Sequence, residues 1–334
     1  MNTPPPILPG AEAPDAPSSS PASPSSSSSP SSPSRGTTAA SWTDIAERGS
    51  VAGIWAMVLI CRAFGRTFGR VVVRAVVFYF VLAARSARRA SRSYLTRMGR
   101  PHGFWDTYRH FLTFAHCTLD RLFWVMGRQD LFEITSTGSE HLRELVRSRR
   151  GALLLGAHLG SFEAMLGVAR HESVPINIVG YFKNARLING VLNKMNPRRT
   201  TRLISVEPGM NFVMTLKERI EAGELVAILA DRVGLAERAT EVDFLGGRAL
   251  FPSGPTLLAA ILRCPVYLTF GLYTDPNRYH LYCEPFSERI ELPRGDRDGA
   301  AAVHVQRFAS RLEHYCELAT DNWFNFYGYW AVTP

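Results

Sequence analysis

Two side chains in this sequence are spaced for proton transfer. His158 and Glu163 stand in the segment AHLGSFE, five positions apart. A neutral imidazole can take a proton from a hydroxyl, and a carboxylate on its other nitrogen fixes the tautomer and steadies the imidazolium that forms. On one unbroken helix, positions five apart point about 140° away from each other. The pair can converge only across a turn, and Gly160 permits a tight one. Plainer roles exist for both residues. An acid in a first helical turn favours the helix dipole, and a histidine can be a satisfied core residue. A capping box with Ser161 at the N-cap would place its acid at position 164, which is Ala.

The elements that would position this pair are legible on either side. GALLLGA (151–157) reads as a buried strand ending just before His158, and 161–171 reads as the helix carrying Glu163. Further strands are expected over 174–182, 201–206, 224–231, 264–273 and 278–286. Helices are expected over 185–195, 210–223, 255–263 and 298–319. Apolar runs alternating with helical patterns predict an α/β fold, a mostly parallel central sheet covered by helices on both faces. In such sheets ligands gather beyond the carboxyl ends of the strands. Asp231 is the next acid at such a strand end. An unpaired buried carboxylate is costly, so its partner is expected among Arg232, Arg248 or a substrate group. The segment FLGGRALFPSGP (244–255) reads as a glycine-rich loop in which backbone amides near Ser253 and Gly254, at a helix start, could receive an anion or an oxyanion. GxSxG, HExxH and P-loop patterns are missing.

The chain has 334 residues, 46% of them hydrophobic, enough for a substantial core. Its 38 basic and 29 acidic residues give a net charge of +9. Three regions are expected. Residues 1–41 hold 10 of the 21 prolines and 13 serines, the composition of a disordered tail. Residues 42–100 form a basic, hydrophobic helical segment: ten arginines fall between Val51 and Arg100 with no acid among them. Arginines at 62, 66, 70 and 74 step by four along one helical stripe. The apolar runs Gly49–Cys61 and Ala75–Ala84 are each shorter than the ~18–20 residues of a membrane span. This pattern predicts a helix lying on an anionic membrane surface. Nucleic acid is not expected as a partner, because Val, Phe and Leu separate the arginines. Residues 101–334 are expected to form a globular domain, with apolar runs alternating with helical patterns. Five cysteines without a CxxC predict neither a disulfide framework nor a metal site. The closing NWFNFYGYW (322–330) suits a core or the wall of an acyl tunnel.

AHLGSFE, then ADR and FLGGRALFPSGP, with the aromatic ending, resembles the lysophospholipid acyltransferase superfamily, in particular its bacterial lipid A biosynthesis (lauroyl/myristoyl) branch. The resemblance spans roughly residues 50–331. It implies a glycerolipid acyltransferase-like fold and transfer of a fatty-acyl chain from an acyl carrier protein or coenzyme A thioester to a hydroxyl of a lipid acceptor. His158 would be the base and Glu163 its partner, with no cofactor, metal or covalent intermediate. It implies a place on the cytoplasmic face of a bacterial inner membrane. Where glycerolipid members of the superfamily carry an acid and a following arginine, this chain has Ser253 and no arginine, which favours a lipid A-like acceptor over a glycerol phosphate. A thioesterase using the same pair on water, and a non-catalytic membrane-bound partner that keeps the fold, are the competing expectations.

Overall fold

A computed structural model describes residues 51–171, 175–180, 202–206, 210–234 and 237–330. The tail expected over 1–41 and the helix expected over 185–195 lie outside these residues.

The strands are β1 (Glu133–Thr137), β2 (Ala152–Gly156), β3 (Ile176–Gly180), β4 (Arg202–Ser205), β5 (Leu225–Leu229), β6 (Ala239–Phe244), β7 (Gly247–Pro252), β8 (Val266–Thr274) and β9 (Arg278–Ser287). Seven form one sheet in the order β1-β9-β8-β2-β5-β3-β4. β8, β2, β5, β3 and β4 run parallel, while β9 returns antiparallel to β8 and β1 follows β9. The α/β expectation therefore holds for the central sheet.

Both faces of that sheet are covered. Along β2 every residue is buried, with Leu153 and Leu155 entering one apolar cluster and Ala152 and Leu154 another. This is the period-2 alternation of a strand with a helix layer on each side. The first cluster is closed by α6 (Met210–Glu221), α7 (Gly254–Leu262) and α8 (Arg297–Leu318), the second by α4 (Ser139–Arg147) and α5 (Phe162–His171).

The segment expected as a glycine-rich loop is instead the hairpin β6–β7. Leu245 and Gly246 both take positive φ, 49° and 69°, as a two-residue type I′ turn requires. Val242, Phe244, Ala249 and Phe251 turn inward, and Glu241, Asp243 and Arg248 outward.

Before the sheet come α1 (Val51–Ala83), α2 (Arg85–Arg97) and α3 (Phe104–Val125). α1 breaks at Gly65, where φ is 78°, and it meets α2 at 95°. No single described helix is long and apolar enough to cross a membrane. The arginine stripe of α1 does not face outward as a whole. Arg66 forks onto Asp120 of α3, at 2.6 and 2.8 Å. Arg70 reaches the Tyr273 hydroxyl at 2.7 Å, the Pro276 carbonyl at 2.8 Å and the Asp275 carboxylate. Asp120 is fully buried and also accepts from the Tyr279 hydroxyl at 2.8 Å. Arg62 and Arg74 remain exposed. With the middle of the stripe turned in, the helix presents Leu59, Phe64, Phe68, Val71, Phe78, Tyr79 and Leu82 to the outside.

Burial pushes the Asp120 carboxyl up, by more than Arg66 and Tyr279 pull it down, so its charge depends on its partners. Arg66→Ala should lower unfolding free energy by about 3–5 kcal/mol, the usual cost of stranding a buried charge, whereas exposed Arg74→Ala should stay within ~0.5 kcal/mol. Urea denaturation of the two variants checks this; equal, small effects would show that Arg66 is only a surface charge.

Candidate active site

β2 and β5 are parallel neighbours, with Gly156 paired to Leu229. Two residues further along each strand stand His158 and Asp231, at the same level and one strand spacing apart, about 4.8 Å. Their side chains meet. His158 Nδ1 lies 2.8 Å from Asp231 Oδ1, and the His158 backbone N–H donates to Oδ2 at 3.0 Å. An ionised carboxylate only accepts, so the ring proton sits on Nδ1 and Nε2 carries the free lone pair. Nε2 makes no hydrogen bond to another described residue, and the side chain is 30% exposed.

Asp231 itself is fully buried. Its Oδ2 also accepts from Trp323 Nε1 at 3.2 Å and Asn325 Nδ2 at 2.9 Å. The Tyr329 hydroxyl donates to its carbonyl at 2.6 Å. Burial alone would raise its pKa, but His158, Arg232 and Asn325 together hold the carboxyl well below the usual range. Burial pushes the His158 imidazole down, helped by the Arg232 charge and opposed by Asp231. The ring is therefore neutral at pH 7, the state of a general base.

The turn after β2 brings in the C-terminal segment. Gly160 has φ 68°, and a Cβ there would lie 2.0 Å from the Gly271 carbonyl oxygen, so the turn requires glycine. The Gly160 N–H donates to the Asn322 carbonyl at 2.8 Å, and the Phe324 N–H to the His158 carbonyl at 2.7 Å. Asn322 in turn brackets the Tyr273 backbone, accepting from its N–H at 2.7 Å and donating to its carbonyl at 3.0 Å. Residues 322–325 thus run across the strand ends and clamp both members of the pair. Trp323, Asn325 and Tyr329 are functional candidates that sequence reading did not single out. Asn and the indole and phenol groups inside a run of aromatics were the available signal.

The carboxylate on His158 is thus Asp231, and this corrects the expectation placed on Glu163. Ser161 Oγ accepts from the Ala164 N–H at 3.2 Å and caps α5, which starts at Phe162. Glu163 falls in the first turn, where it forms an ion pair with Arg121 of α3 and is 13% exposed. Local spacing favoured Glu163, while sheet adjacency supplies Asp231.

The remaining candidates divide. Arg232 stands next to the pair. Its Nε donates to Asn325 Oδ1 at 2.6 Å and its second nitrogen to the Phe324 carbonyl at 2.8 Å. The partner expected of Asp231 is therefore mainly His158, with Arg232 holding the clamp. Arg248 is brought elsewhere: it is 57% exposed on β7 and paired across the hairpin with Glu241 at 2.7 Å and Asp243 at 3.1 Å. Ser253 Oγ is engaged by Thr240 Oγ1 at 2.7 Å. At the start of α7 the chain supplies its own anion, since a Cβ on Gly254 would lie 2.3 Å from Glu237 Oε1. Glu237 also accepts from the Gly234 N–H at 2.7 Å. The oxyanion roles expected of Arg248 and of Ser253–Gly254 are accordingly not carried further. Among the described residues no cluster of His, Cys, Asp or Glu is disposed to hold a metal ion.

If Asp231 orients the base, Asp231→Asn should reduce catalysis by about 10²-fold or more, through loss of the correct tautomer. Glu163→Gln should cost less than tenfold. Steady-state rates of the two variants separate the assignments, and the reverse ranking would return the partner role to Glu163.

The family model of bacterial lipid A biosynthesis acyltransferases matches residues 123–330. No curated protein sequence matches the chain. The matched span runs from the end of α3 to Trp330 and takes in His158, Asp231 and the clamping segment. It covers more than half of the chain, and the chain therefore belongs to the bacterial lipid A biosynthesis acyltransferase family.

Proposed function

We propose that this protein transfers a fatty-acyl chain from an acyl thioester to a hydroxyl of a lipid acceptor, with His158 as general base and Asp231 as its orienting carboxylate. The observation that carries the reading is a partly exposed imidazole whose Nδ1 is held at 2.8 Å by a buried carboxylate. His158 Nε2 takes the acceptor proton as the oxygen attacks the thioester carbonyl. Asp231 stabilises the imidazolium. The tetrahedral intermediate then collapses, the carbon–sulfur bond breaks, and the departing thiolate receives the proton from His158. The donor is an acyl carrier protein or coenzyme A thioester. Arg232, next in the chain to Asp231, puts a positive charge near the His158 ring.

The site of action is the cytoplasmic face of a bacterial inner membrane. Support comes from the apolar outer face of α1, where Phe64 is 66% exposed and Tyr79 65%, continued on α3 by Trp105, whose ring packs edge-on to Tyr108. Exposed apolar surface of this extent marks an interaction face. The arginines do not lead the contact as the stripe suggested; they flank an aromatic face that enters the interface.

His158→Ala should lower acyl transfer by about 10²–10⁴-fold without altering thermal unfolding. Near-wild-type transfer would refute the assignment. Acyl thioester incubated without lipid acceptor should release little fatty acid; equal release with and without acceptor would make the protein a thioesterase. Because burial and Arg232 lower the His158 pKa, and the neutral ring is the active form, kcat/KM should hold as pH falls through 6.5 and decline only below it. An acid limb at or above 6.5 would contradict the neutral-base reading.

Phe64→Ser with Phe68→Ser should weaken vesicle co-sedimentation at least about tenfold, since burying each Phe contributes roughly 1.5–3 kcal/mol. Unchanged sedimentation would remove α1 from the membrane contact.

A further inference from the structure

At the break in α1 a cavity of about 330 Å³ opens between that helix and the C-terminal end of α3. Its lining includes Cys61, Phe123 and Leu131 together with Arg62, Arg66 and Arg128. None of these belongs to the His158–Asp231 site. The walls are apolar, while three guanidinium groups stand around them. The size is at the low end for ligand cavities, suited to a headgroup rather than to a whole lipid.

The three arginines differ in how firmly they are held. Arg66 is anchored on Asp120 and on the Pro276 carbonyl, and its guanidinium lies 5.1 Å over the Phe132 ring. It is a fixed cationic wall. Arg128 pairs with Asp130, but both side chains are more than half exposed, and such pairs are weakly held. Arg62 makes no hydrogen bond or ion pair with another described residue. Two of the three can therefore turn to a new anion without breaking a buried contact. Guanidinium forks suit the paired oxygens of a phosphate.

The stretch of α1 that carries Arg62 points to the source of the phosphate. Leu59 and Phe64 flank Arg62 on α1 and are 63% and 66% exposed. An anion seated among the arginines would therefore lie on a stretch of α1 that also exposes apolar side chains to the outside. A free inorganic ion has no use for them, whereas the acyl chains attached to a lipid phosphate do.

We propose that this cavity is a binding site for the phosphate headgroup of an anionic phospholipid, distinct from the acyl-transfer site. It rests on the reading that α1 meets a membrane, and it adds a specific lipid to that contact. One bound headgroup would fix the protein at the kink of α1 and set its rotation on the bilayer.

Isothermal titration of the full chain with dihexanoylphosphatidylglycerol, kept below its micelle concentration, tests the site without a charged surface. One saturable site is expected, weakened about tenfold or more by Arg62→Gln with Arg128→Gln and unchanged by His158→Ala. Both arginines are exposed, and thermal unfolding of the double variant should match the parent. Dihexanoylphosphatidylcholine and inorganic phosphate should bind at least tenfold more weakly. Four results would overturn the proposal: no saturable binding, binding insensitive to the two arginines, equal binding of phosphatidylcholine, or equal binding of inorganic phosphate. Vesicle binding by the Phe64→Ser/Phe68→Ser variant reports separately on the membrane reading, so the two can fail independently.

Discussion

The buried charge of Asp231 is the constraint around which this structure is arranged. A carboxylate removed from water is tolerated only when its oxygens are satisfied. Here four donors meet it, from the His158 ring and backbone, Trp323 and Asn325. Each belongs to a different demand of the fold. His158 stands at the end of β2, Asp231 at the end of β5, and the other two on a segment nearly a hundred residues further along the chain. Forming the charge-assisted contacts therefore aligns two strands and docks the C-terminal aromatics in one step. The same contacts leave Nε2 as the one ring nitrogen facing outward. The satisfaction of Asp231 and the orientation of the His158 ring have a common origin.

The N-terminal helices repeat the logic on a second buried acid. Asp120 draws Arg66 inward, and the Tyr273–Asp275 region draws Arg70. These contacts tie α1 to α3 and to the end of β8, and β8 in turn is bracketed by Asn322 next to the clamp. The face left to solvent is then apolar by default. A helix rich in arginine becomes an aromatic outer surface because its charges are partly used inside.

Much of the sheet was legible because its strands are continuous apolar runs. GALLLGA runs into His158 and ELVAILAD ends at Asp231, the two residues whose side chains meet beyond the strand ends. The pairing of those residues was less accessible. His158 and Glu163 are neighbours in sequence, so local spacing favoured them. His158 and Asp231 are neighbours only because β2 and β5 are adjacent, and strand order is a long-range property. Asp231 did announce itself as a buried acid in need of a partner. The hairpin β6–β7 was read as a loop because of LGG, although VDF and RALF carry the alternation of a half-buried ribbon. The inward turn of Arg66 depends on Asp120, 54 positions away, and no local pattern encodes it.

The central claim is that Asp231 holds a neutral His158 with its proton on Nδ1. Nitrogen-15 NMR of the His158 ring at pH 7 measures this directly. The account predicts an uncharged ring, protonated at Nδ1 and bare at Nε2. A ring protonated at Nε2, or charged on both nitrogens at that pH, would contradict it.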